Sequence, residues 1–162
     1  MLNNIILASK SKVRKEILEK NDIICNVEPS NVDEESVKES LQKERASPEI
    51  ISKNLAELKA NKVSLKKKDQ IVIGADSVID LNGELISKPE SRDQAMLILK
   101  KLNGKNHFLI SSVCISKNGQ MMWNYTDKAK LKMKNFSDEE LKEYLSKISD
   151  EALYAYNVYQ IE

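Results

Sequence analysis

The sequence predicts an α/β fold built on a mixed, twisted sheet flanked by helices. Three observations carry that reading. Short runs rich in β-branched residues, Ile5-Ile6-Leu7-Ala8 and Ile71-Val72-Ile73, read as buried strands. Segments with apolar residues at helical spacing alternate with them, opened by Ser47-Pro48, Ser91 and Ser137. Two Asn-Gly pairs, Asn82-Gly83 and Asn118-Gly119, lie between apolar runs and mark hairpin turns.

The first strand runs into Ser9-Lys10-Ser11 and then into a helical pattern with Val13, Ile17 and Leu18 on one face. Ser9 or Ser11 caps that helix. A strand, a serine turn and a helix N-terminus surrounded by Lys10, Lys12, Arg14 and Lys15 form an anion site, because free backbone N–H groups and the helix dipole favour negative charge there. Arg14 adds a planar fork suited to phosphate oxygens. The plain alternative is a basic, solvated first turn.

Residues 23–27 read as a second strand, broken by Pro29-Ser30-Asn31. Val32-Asp33-Glu34-Glu35-Ser36 follows as an acidic loop. By itself such a loop is solvated; together with Asp76 it offers a second carboxylate for Mg²⁺, a hard ion that takes oxygen ligands. Ser47 then caps a helix with Pro48 at its first position. Ile51, Leu55 and Leu58 share a face, and Lys59 falls at the edge of that stripe. Its amine either reaches into a cleft or snorkels to water.

After the connector Lys66-Lys67-Lys68 comes the stretch around which the chain is organised. Ile71-Val72-Ile73 is a strand, and Gly74 lets the backbone bend or approach a ligand closely. Asp76 follows just past the strand, where α/β proteins place their chemistry. Asn82-Gly83 turns the chain so that Lys88 returns toward Asp76, and Pro89 stops the second strand. A carboxylate and a lysine at one end of a sheet suit a metal-assisted phosphate site; a solvated surface pair is the alternative.

Ser91 with Gln94 forms a capping box, and Ala95, Ile98, Leu99 and Leu102 give a core-facing helix. A strand over residues 107–115 opens with His107, which reads as structural because no acid or nucleophile adjoins it in sequence. The next strand runs to about residue 134, with Ala129, Leu131 and Met133 alternating against Lys128, Lys130, Lys132 and Lys134. That alternation predicts one buried and one wet face. Ser137 with Glu140 is a second capping box, followed by Leu141, Tyr144, Leu145 and Ile148 on one face. The tyrosines of the tail, Tyr154, Tyr156 and Tyr159, serve either to stack on a base beside Glu162 or as core or interface residues.

With 162 residues the chain suffices for one domain with its own core, and no linker or repeat divides it. A net charge of +1 gives no support for nucleic-acid binding through bulk charge. Cys25 and Cys114 lie far apart and there is one His, too few soft ligands for a zinc site. Reduced thiols and a cytoplasmic location follow from that cysteine usage. No apolar run approaches the roughly 20 residues of a membrane span, and the N-terminus lacks a signal-peptide pattern.

Taken in order, these stretches resemble the Maf family of nucleoside triphosphate pyrophosphatases. Leu7-Ala8-Ser9-Lys10-Ser11-Lys12-Val13-Arg14 is similar to that family's LASxSPRR, and Val32-Asp33-Glu34 to its acidic loop. Leu55-Ala56 with Lys59-Ala60 matches LAxxKA, Ile73-Gly74-Ala75-Asp76-Ser77-Val78 matches IGADT, and Lys88-Pro89 matches GKP. Leu102-Asn103-Gly104-Lys105 with His107 resembles LSGxxH. The resemblance implies a Maf or inosine-triphosphatase-like fold with two lobes around a cleft, often as a homodimer. It implies cleavage between the α- and β-phosphates of a nucleoside triphosphate, with Mg²⁺ or Mn²⁺ as cofactor. Asp76 would be general base or metal-water activator, and Glu34 would help hold the metal. Ser9, Ser11, Arg14, Lys59 and Lys88 would hold the triphosphate.

Val13 stands where the family usually has Arg, one of three positions linked to base choice. The other two are Ser77 and Glu162. Members taking dTTP and UTP carry Arg, Thr and Gln there; a terminal Glu is similar to the branch acting on methylated guanine nucleotides. Tyr156-Asn157 stands where Ala-Gly is common. The family also continues some tens of residues further, so the resemblance implies that its C-terminal part is absent here. Two other functions compete: a catalytically weak nucleotide-binding or interaction protein affecting cell division, and a phosphatase with Asp76 as nucleophile. The DxD pattern of the latter fails at Val78.

Overall fold

The computed structural model describes residues 5–159. The elements are β1 (Ile5–Leu7), α1 (Lys12–Lys20), β2 (Cys25–Val27), α2 (Glu34–Lys43), α3 (Pro48–Lys66), β3 (Ile71–Leu81), β4 (Glu84–Ile86), α4 (Arg92–Leu102), β5 (Asn106–Lys117), β6 (Gln120–Lys132), α5 (Asp138–Lys147) and α6 (Asp150–Tyr156). The strands form a six-stranded sheet in the order β2-β1-β3-β5-β6, with β4 paired to β3. β1 runs parallel to β2 and β3, whereas β4 is antiparallel to β3, so the sheet is mixed as predicted. The described residues fall into two compact units, 5–77 with 110–127 and 78–109 with 128–159.

In the first unit, Ile5, Ile6 and Leu7 pair with Ile71, Val72 and Ile73, and all three residues of β1 are buried. α3 lies close against β3 because both surfaces are small where they meet. A Cβ on Gly74 would sit 2.3 Å from the Ala56 carbonyl oxygen and 2.6 Å from the Ala60 nitrogen, so only glycine fits. That contact sets the helix rotation. Ser52, Ala56 and Ala60 form one buried row, and Ile51, Leu55 and Lys59 form another. Leu58, predicted to face inward, is 41% exposed, while Lys59 is 5% exposed.

Four further expectations are corrected. Gly74 does not end the strand: β3 continues to Leu81, so Asp76 lies within it instead of past it. The acidic segment is not a loop but the start of α2, with the Asp33 side chain accepting from the Ser36 N–H as N-cap. α1 has no buried residue; Leu18 packs against Ile5, Leu7 and Cys25, but Val13 and Ile17 are 42% and 55% exposed. In β6, Ala129 is exposed and Leu131 only half-buried. β6 ends the strand order, and alternation tells which face is more apolar, not whether anything covers it.

The second unit has its own core, in which Ile79, Leu81 and Ile86 meet Ala95, Leu99 and Leu102 of α4 and Leu141 and Leu145 of α5. Asn82 and Gly83 both adopt positive φ, 54° and 87°, the two left-handed positions that a tight hairpin turn requires. Ser137 and Glu140 form the predicted capping box. At α4 the box is displaced: Ser91 caps the Gln94 N–H, but the Gln94 side chain accepts from Glu90. α6 was not foreseen; it brings Leu153 and the following Val158 into the same core.

His107 is buried in this unit, with Nε2 2.7 Å from the Tyr159 hydroxyl. Burial pushes the imidazole below its ordinary 6.5 and the tyrosine up to about 12. The folded state therefore prefers the neutral ring. Its contribution is complete above the unfolded-state pKa and is lost as pH falls through the lower folded-state value. On lowering pH from about 8 to about 5, the melting temperature of the parent should fall more than that of His107→Gln. Equal falls in thermal melts would remove His107 as the cause.

Cys25 and Cys114 are buried free thiols, and burial raises the pKa of each, which keeps them unreactive. No described helix is long and apolar enough to cross a membrane.

Candidate active site

The chemistry-bearing side chains of the first unit converge on the middle of β3. Asp76 points to the α3 face, the face that Gly74 also presents, since residues two apart on a strand share a side. The residue is 5% exposed. Lys59, equally buried on α3, places Nζ 2.8 Å from Asp76 Oδ1. Seven residues earlier on the same helix, the Ser52 hydroxyl donates to the Asp76 carbonyl oxygen at 3.3 Å. The helix thus grips both the side chain and the backbone of Asp76.

Glu34 arrives from α2. The Asp33 cap accepts from the Ser36 N–H and hydroxyl, and these bonds hold its carboxyl below the usual range. Glu34 is the first helical residue, where the dipole favours a carboxylate. Its Oε1 is 3.0 Å from Lys59 Nζ. One ammonium therefore bridges two carboxylates. Asp76 Oδ2 is buried and has no hydrogen-bond partner among the described residues. A buried, ionised acceptor left unsatisfied is costly. This oxygen is where an incoming water or cation gains most.

A second cluster approaches from the β1–α1 turn. Ser11 caps α1 by accepting from the Arg14 N–H at 3.3 Å, and Ser9 Oγ accepts from the Ser11 N–H at 3.2 Å. Arg14 Nη1 donates to Ser9 Oγ at 3.2 Å and to the Ala75 carbonyl oxygen at 2.9 Å. The basic turn is thereby tied to the residue before Asp76.

Of the residues singled out from sequence, Glu34, Lys59 and Asp76 come together, as do Ser9, Ser11 and Arg14. Ser77 faces the opposite side of β3 from Asp76, is exposed, and lies 3.1 Å, hydroxyl to hydroxyl, from Ser111. Val13 is exposed on α1. Lys88 belongs to the second unit, exposed two residues after β4. Glu162 lies outside the described residues. Sequence reading missed Ser52 and the capping role of Asp33. The signals were present: small residues every fourth position at Ser52, Ala56 and Ala60, and an Asp followed by two acids, a common helix start.

The donor set fits a divalent cation. Glu34 and Asp76 supply hard oxygens, and Asp76 Oδ2 has no hydrogen-bond partner among the described residues. No group of three or more His, Cys, Asp or Glu side chains that would enclose an ion occurs among the described residues. Two carboxylates with the other positions left to water and phosphate oxygens is the usual provision for Mg²⁺.

A family model described as Maf-like protein matches residues 4–162. The chain is 68% identical over 162 residues to the nucleoside triphosphate pyrophosphatase of Pelagibacter ubique (strain HTCC1062), covering 100% of this chain and 83% of that protein. It is 32% identical over 162 residues to the 7-methyl-GTP pyrophosphatase of Brucella abortus biovar 1 (strain 9-941), covering 100% of this chain and 81% of that protein. Among solved structures, a HAM1 protein from Coxiella burnetii aligns with a TM-score of 0.50 at 14% identity, over 78% of this chain and 70% of that one. That likeness shows the fold.

Proposed function

Given that the chain belongs to the Maf-like protein family, we propose that it hydrolyses nucleoside triphosphates, modified ones included, to the monophosphate and pyrophosphate. The observation that carries the reading is the Asp76–Lys59–Glu34 cluster, in which the buried Asp76 Oδ2 has no hydrogen-bond partner among the described residues. Relatives named for pyrophosphatase activity on nucleoside triphosphates and on 7-methyl-GTP support the same class of substrate.

In this reading a water oxygen bonds to the α-phosphorus, the bond from that phosphorus to the oxygen bridging to the β-phosphorus breaks, and pyrophosphate leaves. Asp76 Oδ2 takes the proton of the attacking water. Lys59 bridges the two carboxylates and sets the direction of the Asp76 carboxyl. Ser9, Ser11 and Arg14, at the N-terminus of α1, hold phosphate oxygens through N–H and O–H donors. Lys88 supplies a further cation to the triphosphate. Glu34 and Asp76 would hold Mg²⁺ or Mn²⁺, which when bound neutralises phosphate charge and acidifies water.

Val13, Ser77 and Glu162 set base choice. Val13 removes a long cation from α1, and Glu162 offers a carboxylate. Facing the O2 or O4 of a pyrimidine, that carboxylate would be repelled and left unpaired, a cost of about 1–3 kcal/mol. Facing N1–H and N2–H₂ of guanine it would be satisfied. Guanine nucleotides, methylated ones among them, should therefore turn over with higher kcat/KM than dTTP or UTP. Glu162→Gln should narrow or reverse the difference. Pyrophosphate release across a nucleotide panel with Mg²⁺ measures this; dTTP or UTP as best substrate of the parent would overturn the base assignment.

A further inference from the structure

We infer that Asn157 is a positioning residue that fixes the backbone carrying Lys88 for substrate binding. The inference rests on the assignment of Lys88 to the triphosphate. Asn157 ends α6 with φ 74° and ψ −163°, a region that glycine alone occupies without strain. An asparagine persists there only if its side chain returns something. That side chain is buried: Nδ2 faces the carbonyl oxygens of Ile86 at 3.4 Å and Ser87 at 3.2 Å, and Oδ1 accepts from the Val158 N–H at 2.8 Å. The Val158 carbonyl oxygen accepts in turn from the Tyr144 hydroxyl at 2.8 Å, which locks the segment to α5.

The two carbonyls are those immediately before Lys88. The β3–β4 pairing ends with Ile79 opposite Ile86. Pro89 restricts the conformation of Lys88 but has no N–H of its own to anchor it. The Asn157 amide anchors the two carbonyls that precede Lys88. A glycine would end α6 with no strain, yet it would have no amide for Ile86 and Ser87. The strained residue is the one able to brace the Lys88 backbone.

The test uses Asn157→Gly, which relieves the backbone and so folds, and Asn157→Asp, which tolerates the same φ but cannot donate to two carbonyls. Both should lower kcat/KM by about tenfold, since a shift of about 1 Å in a binding group can cost still more. The loss should appear chiefly in KM, with the melting temperature of Asn157→Gly at or above the parent. Lys88→Met should show the same kind of loss, and adding Asn157→Gly to it should cost little more, because residues acting through one group are not additive. Parent-like kinetics in Asn157→Gly, or full additivity with Lys88→Met, overturns the inference. Parent-like kinetics in Lys88→Met alone overturns the assignment beneath it, whatever Asn157→Gly does.

Discussion

Asp76→Asn should fold as the parent does and lose at least about 10²-fold in turnover, the usual contribution of a positioned base. The amide has the shape of the carboxylate, and its oxygen can still accept from Lys59 Nζ, which lies 2.8 Å from Oδ1 in the parent. What it lacks is the second basic oxygen. Oδ2 is the buried atom with no hydrogen-bond partner among the described residues. Replacing it with an NH₂ group removes both a proton acceptor and a metal-binding oxygen. Glu34 remains to balance Lys59, so the melting temperature should change little. Steady-state pyrophosphate release beside a thermal melt checks both halves. Turnover within a few-fold of the parent would remove Asp76 from the chemistry.

Lys59→Met should abolish turnover and also destabilise the fold. The side chains of Lys59 and Asp76 are each 7% exposed. Removing one partner of such a pair leaves a buried charge uncompensated, which costs about 3 kcal/mol or more. For a chain of this size that is a fall of roughly 10 °C in melting temperature. Glu34, with a side chain 39% exposed, can turn to water and adds little to the loss. Adding Asp76→Asn to Lys59→Met should restore much of the stability while activity stays lost. A Lys59→Met protein as stable as the parent would mean that the ammonium does not hold the carboxylates together.

The features legible in the sequence are those set by local chemistry. Ser47, Ser91 and Ser137 cap helices where the pattern placed them, because a hydroxyl accepting an early N–H is a contact over three residues. Asn82-Gly83 makes its turn because two adjacent residues must take positive φ. The failures are tertiary. Gly74 reads as a strand end, but its missing Cβ serves the close approach of α3. That approach rotates α3 so that Lys59, not Leu58, points inward. Val13 and Ile17 form an apolar pair that the described neighbours leave exposed, and nothing in a 3.6-residue period reveals whether a face finds a partner.

The candidate site was half legible for the same reason. The sequence paired the acidic segment with Asp76 but did not join Lys59 to either carboxylate. A contact across 17 residues, between a strand and a helix, is fixed by packing. Ser77 shows the limit from the other side: it adjoins Asp76 in sequence, yet strand alternation turns it to the opposite face, toward Ser111.

The central claim is attack of water at the α-phosphorus of a nucleoside triphosphate. Turnover of GTP in ¹⁸O-labelled water, with mass analysis of both products, tests it most directly. The account predicts the heavy oxygen in the monophosphate, with unlabelled pyrophosphate released in equal amount. Label in the pyrophosphate, or release of orthophosphate with a nucleoside diphosphate, would contradict it.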